Sequence, residues 1–109
     1  ELGSLPAQYQ LSLKLFNFEG EPIDAEEARR WLTTAAEGGF TKARRAIGLL
    51  YSRGLGIERD LVKSYAWLSV AATDGDQTAI DHRNAVARQL DDEARARAQA
   101  LAVKLRQTP

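Results

Sequence analysis

The chain has 109 residues, 44% of them hydrophobic, enough for one domain with a continuous core. Fifteen basic residues balance fifteen acidic ones, and the balance holds locally, with seven of each in residues 1–57 and eight of each in 58–109, so net charge declares no basic face for nucleic acid. There is no Cys for a disulfide or thiolate site, a single His, and no apolar run near the roughly 18 residues of a membrane span.

The sequence begins Glu1-Leu2 without a Met, so a processed product or an excised fragment is expected, with any export signal upstream. Leu5-Pro6 suits the first turn of a helix running to about Asn17, with Ala7, Leu11 and Leu15 on one face. Leu13, Phe16 and Phe18 make this segment more apolar than one buried face requires. It is either an end helix that has lost a neighbour or a binding surface, self-association included.

Residues 17–22 form a loop, and Asp24 caps a second helix, with Glu27 placed for a capping box. Ala28, Trp31, Leu32, Ala35 and Ala36 fall on the i, i+3, i+4, i+7, i+8 stripe of a buried face, Glu26 and Arg30 pair on the exposed one, and Gly38-Gly39 ends the helix. A third helix begins near Thr41 and turns Ala43, Ile47, Leu50 and Tyr51 inward. Gly48 within it costs about 1 kcal/mol in propensity, which is offset if another helix crosses closely there.

Ser52 to Arg59 is a loop in which Gly54 and Gly56 permit positive φ. The next helix spans about 60–74, marked by Tyr65, Trp67, Leu68, Ala71 and Ala72. Trp31 and Trp67 are expected to dominate the core, while the Ala pairs keep neighbouring backbones close. Gly75 then caps one helix and Asp76 starts another, over about 77–89. Asp91 or Asp92 caps the last, with Ala94, Ala98, Leu101 and Leu105 on its apolar face and Arg95, Arg97, Gln99 and Lys104 off it.

A shift of 36 positions superposes much of the chain on itself. Gly56 falls on Gly20, Asp60 on Asp24, Trp67 on Trp31, Leu68 on Leu32, Ala71-Ala72 on Ala35-Ala36, Gly75 on Gly39, Ala79 on Ala43 and Ala43 on Ala7. A fixed period in the range of roughly 20–50 residues means stacked supersecondary units. The register decays after Ala79, where Arg83 stands in the place of Ile47 and Asn84 in that of Gly48.

With Ala43-x-x-x-Ile47-Gly48-x-x-Tyr51, Gly54-x-Gly56-Ile57-x-x-Asp60 and Trp67-x-x-x-Ala71-Ala72-x-x-Gly75, the sequence resembles the Sel-one-like repeat, a helix–loop–helix relative of the tetratricopeptide repeat. The copy over 7–39 is looser, with Leu11, Ser12 and Leu15 for Leu, Gly and Tyr, and Phe18 for the first loop Gly. The resemblance implies an all-α, right-handed superhelix of about six helices. It implies a repeat over 7–42, a second over 43–78 and a degenerate capping pair over 79–107. Some exported members close each repeat with a Cys pair, which this chain lacks. The Tyr65–Leu68 segment followed by an Ala/Arg-rich tail looks like the C-terminal end of proteobacterial members, so a bacterial source and a natural end near Pro109 are expected. The compartment, exported or cytoplasmic, stays open.

Catalytic signals are sparse. His82 is the only imidazole, and Ser12, Ser52, Ser64 and Ser69 have no triad context. Gly54-x-Gly56 lacks the strand and the Gly-Lys-Ser/Thr of a phosphate loop. Asp91-Asp92 and Glu26-Glu27 sit at helix starts, where they favour the positive dipole end. Arg44-Arg45 and Arg95-x-Arg97 read as short solvated basic spots. No cofactor or metal is expected.

The resemblance implies a protein or peptide partner, held where the first helix of each pair lines a concave side. Position by position this picks Tyr9, Leu13, Phe16 and Asn17, then Lys42, Arg45, Leu49, Ser52 and Arg53, then Asp81, Ala85 and Arg88. Apolar pockets beside guanidinium groups suit a peptide with apolar anchors and a carboxylate. The competing readings are ordinary exposed residues with no ligand, an accessory domain of a larger enzyme or envelope protein, self-association through the first helix, and a hydrolase dependent on His82.

Overall fold

The computed structural model describes residues 25–54 and 57–107, which form α1 (Ala25–Glu37), α2 (Thr41–Arg53), α3 (Leu61–Thr73), α4 (Gln77–Ala87) and α5 (Asp92–Gln107), with no strand among them. The helix expected over 7–17, the Asp24 cap and Gly56 lie outside the described residues.

Helix ends follow their sequence signals. Asp60, Asp76 and Asp91 each accept a hydrogen bond from the backbone N–H three residues on, at 3.0, 2.9 and 2.7 Å, satisfying one of the donors a helix start leaves open. Gly39 and Gly75, at φ 100° and 92°, follow the ends of α1 and α3, and Gly54 at φ 67° caps α2 through its N–H to Leu50 O.

Consecutive helices pack in series, α1 on α2, α2 on α3 and α3 on α4. The closest crossing is at Gly48, where an added Cβ would meet Leu68 Cγ at 2.8 Å and Cδ2 at 2.9 Å. In the same crossing the buried Ser64 Oγ donates to Gly48 O at 2.8 Å. The expected close approach at this glycine is therefore present, with a hydrogen bond binding the two helices across it.

α3 is the hub. Ser64 and Ala66 to Ala71 are all buried, so the helix is covered all round, as befits a central element. One side meets Leu32, Ala35, Ala36, Ala43, Ile47 and Leu50 through Trp67. Another meets Ala79 and Val86 of α4 through Leu68 and Ala71. A third is closed by α5, whose Ala102, Leu101 and Leu105 pack on Ala66 and Val70.

The last helix departs from regular pairing: α5 lies chiefly against α3 rather than along α4. Gly48 lets α2 and α3 touch, whereas the equivalent position in α4 is the exposed Asn84, and α5 makes no such crossing there.

Four side chains differ from expectation. Trp31 is half-buried, its Nε1 donating to Glu27 Oε1 at 3.4 Å, so Trp67 carries the core and Trp31 does not. Arg44 and Arg45 are not free solvated spots. Arg44 donates to Ala36 O at 3.0 Å and pairs with Asp74 at 2.9 Å, and Arg45 pairs with Asp76 at 3.0 Å. Arg95 turns inward to donate to Ala87 O and Leu90 O at 3.1 and 3.2 Å, supplying donors to the carbonyls at the end of α4.

Candidate interaction surface

α2 and α4 are the first helices of successive pairs, and they touch. Polar ties bridge them at both ends. Arg45, one turn into α2, pairs with Asp76, the residue before α4. Arg59 donates from Nε to Ser52 O in the last turn of α2 and from Nη2 to Gln89 Oε1 beyond α4, each at 3.0 Å. With start joined to start and end to end, the two helices run side by side in the same direction.

At 100° per residue, Lys42, Arg45, Leu49, Ser52 and Arg53 share one stripe of α2, opposite the buried Ala43 and Ile47. Asp81, Ala85 and Arg88 share one stripe of α4, opposite the buried Ala79 and Val86. Lys42, Arg53, Asp81 and Arg88 are exposed, while Arg45, Leu49, Ser52 and Ala85 are half-buried.

Several of these groups are already engaged within the chain. The Arg45 guanidinium is held by Asp76, Ser52 Oγ donates to Leu49 O at 3.0 Å, and Asp81 accepts from Gln77 Nε2 at 3.0 Å. Lys42, Arg53 and Arg88 remain without a partner among the described residues. The surface thus offers three cations against one carboxylate, flanking the apolar Leu49 and Ala85. Tyr9, Leu13, Phe16 and Asn17 lie outside the described residues.

The Arg45–Asp76 pair was not legible in the sequence. It joins residues 31 apart, and only the repeat spacing, which places Asp76 one period beyond the loop residue Phe40, hinted that the two helix starts adjoin. Among the described residues no group of three His, Cys, Asp or Glu side chains is placed to hold a metal, and no helix is long and apolar enough to cross a membrane. His82 is half-buried on α4. Gly54 acts as a turn residue, its N–H bonded to Leu50 O at 2.8 Å.

Residues 5–40 and 41–76 each match the Sel1 repeat. A 58-residue stretch, 53% of the chain, is 34% identical to part of the chitin synthase regulator SKT5 of Saccharomyces cerevisiae, of which it spans 8%. Among solved structures, 97% of the chain superposes with a TM-score of 0.91 and 31% identity on a protective antigen present in uropathogenic Escherichia coli strains, described as displaying an SLR fold. The chain spans 23% of that protein.

Proposed function

The chain belongs to the Sel1 repeat family, and from that premise we propose that the α2–α4 stripe holds an acidic peptide segment of a partner protein. Sel1 repeats with this fold serve in general as protein-interaction scaffolds and are typically non-catalytic. The observation that carries the finer reading is the set of cations without a partner among the described residues, Lys42, Arg53 and Arg88, around Leu49 on two parallel helices. Guanidinium groups bind carboxylates through paired donors, and Leu49 supplies apolar contact beside them. α4 and α5, which span 77–107, close the array at its C-terminal side.

Selection from a displayed random-peptide library tests this. The recovered peptides carry an acidic residue next to an apolar one, and Arg53→Ala with Arg88→Ala weakens them by about tenfold or more, the scale of charged hydrogen bonds. Peptides that bind the double variant as tightly as the parent chain contradict the proposal.

A second reading draws on the coverage of the relatives. The chain spans 8% of a regulator and 23% of an antigen, which supports an accessory role within a longer polypeptide, the peptide site then docking a partner beside other domains.

A further inference from the structure

A concavity of about 240 Å³ lies between α3, α4 and α5. Arg83 of α4 and Arg106 of α5 both line it, together with Tyr65 and Ser69 of α3 and Gln99 of α5. Among the described lining residues none is acidic. Arg83 and Asp81 are two apart on α4, so this face points away from the α2–α4 stripe.

Part of the donor set here has no partner among the described residues. Ser69 is 9% exposed, yet its hydroxyl has no hydrogen-bond partner among the described residues, in contrast to the fully buried Ser64, which donates to Gly48 O. The Tyr65 hydroxyl and the Gln99 amide are likewise unpartnered. Arg83 donates from Nε and Nη2 to the neighbouring Asn84 Oδ1, at 3.4 and 3.2 Å, leaving Nη1 open among the described residues, and Arg106 donates one N–H to Thr73 Oγ1 at 3.1 Å. Two guanidinium groups therefore line one concavity furnished with hydroxyl and amide groups, with no acidic residue among its described lining.

The repeat explains how the site arises. In α2 the position equivalent to Arg83 is Ile47, fully buried in the core. α5 packs on α3 instead of closing over α4, so the equivalent space is left open and a cation occupies the place of the apolar plug.

We propose that this concavity binds an oxyanion, a carboxylate or a phosphoryl group, through Arg83 and Arg106 with Ser69 and Tyr65 completing the donor set. Val103, the large hydrophobic side chain that is 46% exposed, stands at the rim and takes the apolar part of the ligand. The volume is below the roughly 300–1,000 Å³ of sites that enclose whole small molecules, so it suits a single charged group.

Amide shift titration of the folded chain tests the proposal, with inorganic phosphate as one probe. The second probe is a short peptide with a free C-terminal carboxylate, compared with its amidated form. Saturable shifts centred on Ser69, Arg83, Gln99 and Arg106 are expected with one of the two anions, and whichever binds more tightly identifies the group. The amidated peptide is expected to show none. Arg83→Gln weakens binding about tenfold, the scale of a charged hydrogen bond; Arg83→Lys loses less, and Arg97→Gln, outside the site, changes nothing. A thermal melt confirms that each variant is folded, and Arg106→Gln repeats the test should Arg83→Gln unfold. Absence of saturable shifts with both anions, or shifts indifferent to Arg83→Gln and Arg106→Gln in folded protein, overturns it.

Discussion

At the scale of single residues the α2–α3 crossing is the most exacting site. Replacing a mid-helix Gly with Ala ordinarily stabilises by up to about 1 kcal/mol through propensity. At Gly48 the new methyl would lie 2.8 Å from Leu68 Cγ, and Leu68 is fully buried with nowhere to move. Overpacking of this kind costs about 1–3 kcal/mol. Gly48→Ala is therefore expected to lower the melting temperature, and to raise it instead when made in a Leu68→Ala background. A lowered melting temperature in both backgrounds would place the strain elsewhere than Leu68. Gly48 was readable in the sequence because a glycine inside a strong helical pattern needs a reason. Trp31 was misjudged for the opposite cause: its repeat spacing equals that of Trp67, and spacing does not register whether a later helix arrives to cover the ring, as α5 does at Trp67 through Leu105.

At the scale of elements, capping and inter-helix ties coincide at Asp76. Its carboxylate accepts from Ala79 N and pairs with Arg45, whereas Asp60 caps α3 through Lys63 N with no ion pair among the described residues. Losing an N-cap costs about 1 kcal/mol, and a partly exposed pair adds up to about 1 kcal/mol more. Asp76→Ala should thus destabilise more than Asp60→Ala in denaturant titration, and Arg45→Ala should remove most of the difference between them. Equal losses would mean that the pair contributes nothing. A second contrast tests how α5 is seated. Leu105 packs on both the Trp67 cluster and the Ala66–Val70 cluster, but Leu101 only on the latter. Leu105→Ala is expected to cost about 2 kcal/mol, the low end for a truncated core leucine, and Leu101→Ala less. The reverse order would place α5 in a different register on α3. The position of α5 could not be foreseen from its own amphipathic face. The signal lay in α3, where Ala66 and Val70 stand off the Trp67–Ala71 stripe and demand a cover of their own.

At the scale of the whole molecule, the helix order, the loops and the close crossing were legible because a 36-residue period repeats the same packing chemistry. The interaction surface was legible only as a stripe. Which cations on it are free depends on contacts across more than 30 residues, such as Arg44 with Asp74 and Arg45 with Asp76, and no local pattern announces them. The same contacts leave Lys42, Arg53 and Arg88 without a partner among the described residues. These three, and not the arginines nearer the helix starts, are expected to meet a partner. Residue-resolved shift mapping with an acidic peptide selected against the chain tests this most directly. The expected result is a continuous set of perturbed amides and side chains along α2 and α4, centred on Leu49, Arg53, Ala85 and Arg88. Perturbations confined to α1, or to the α3–α5 face, would contradict it.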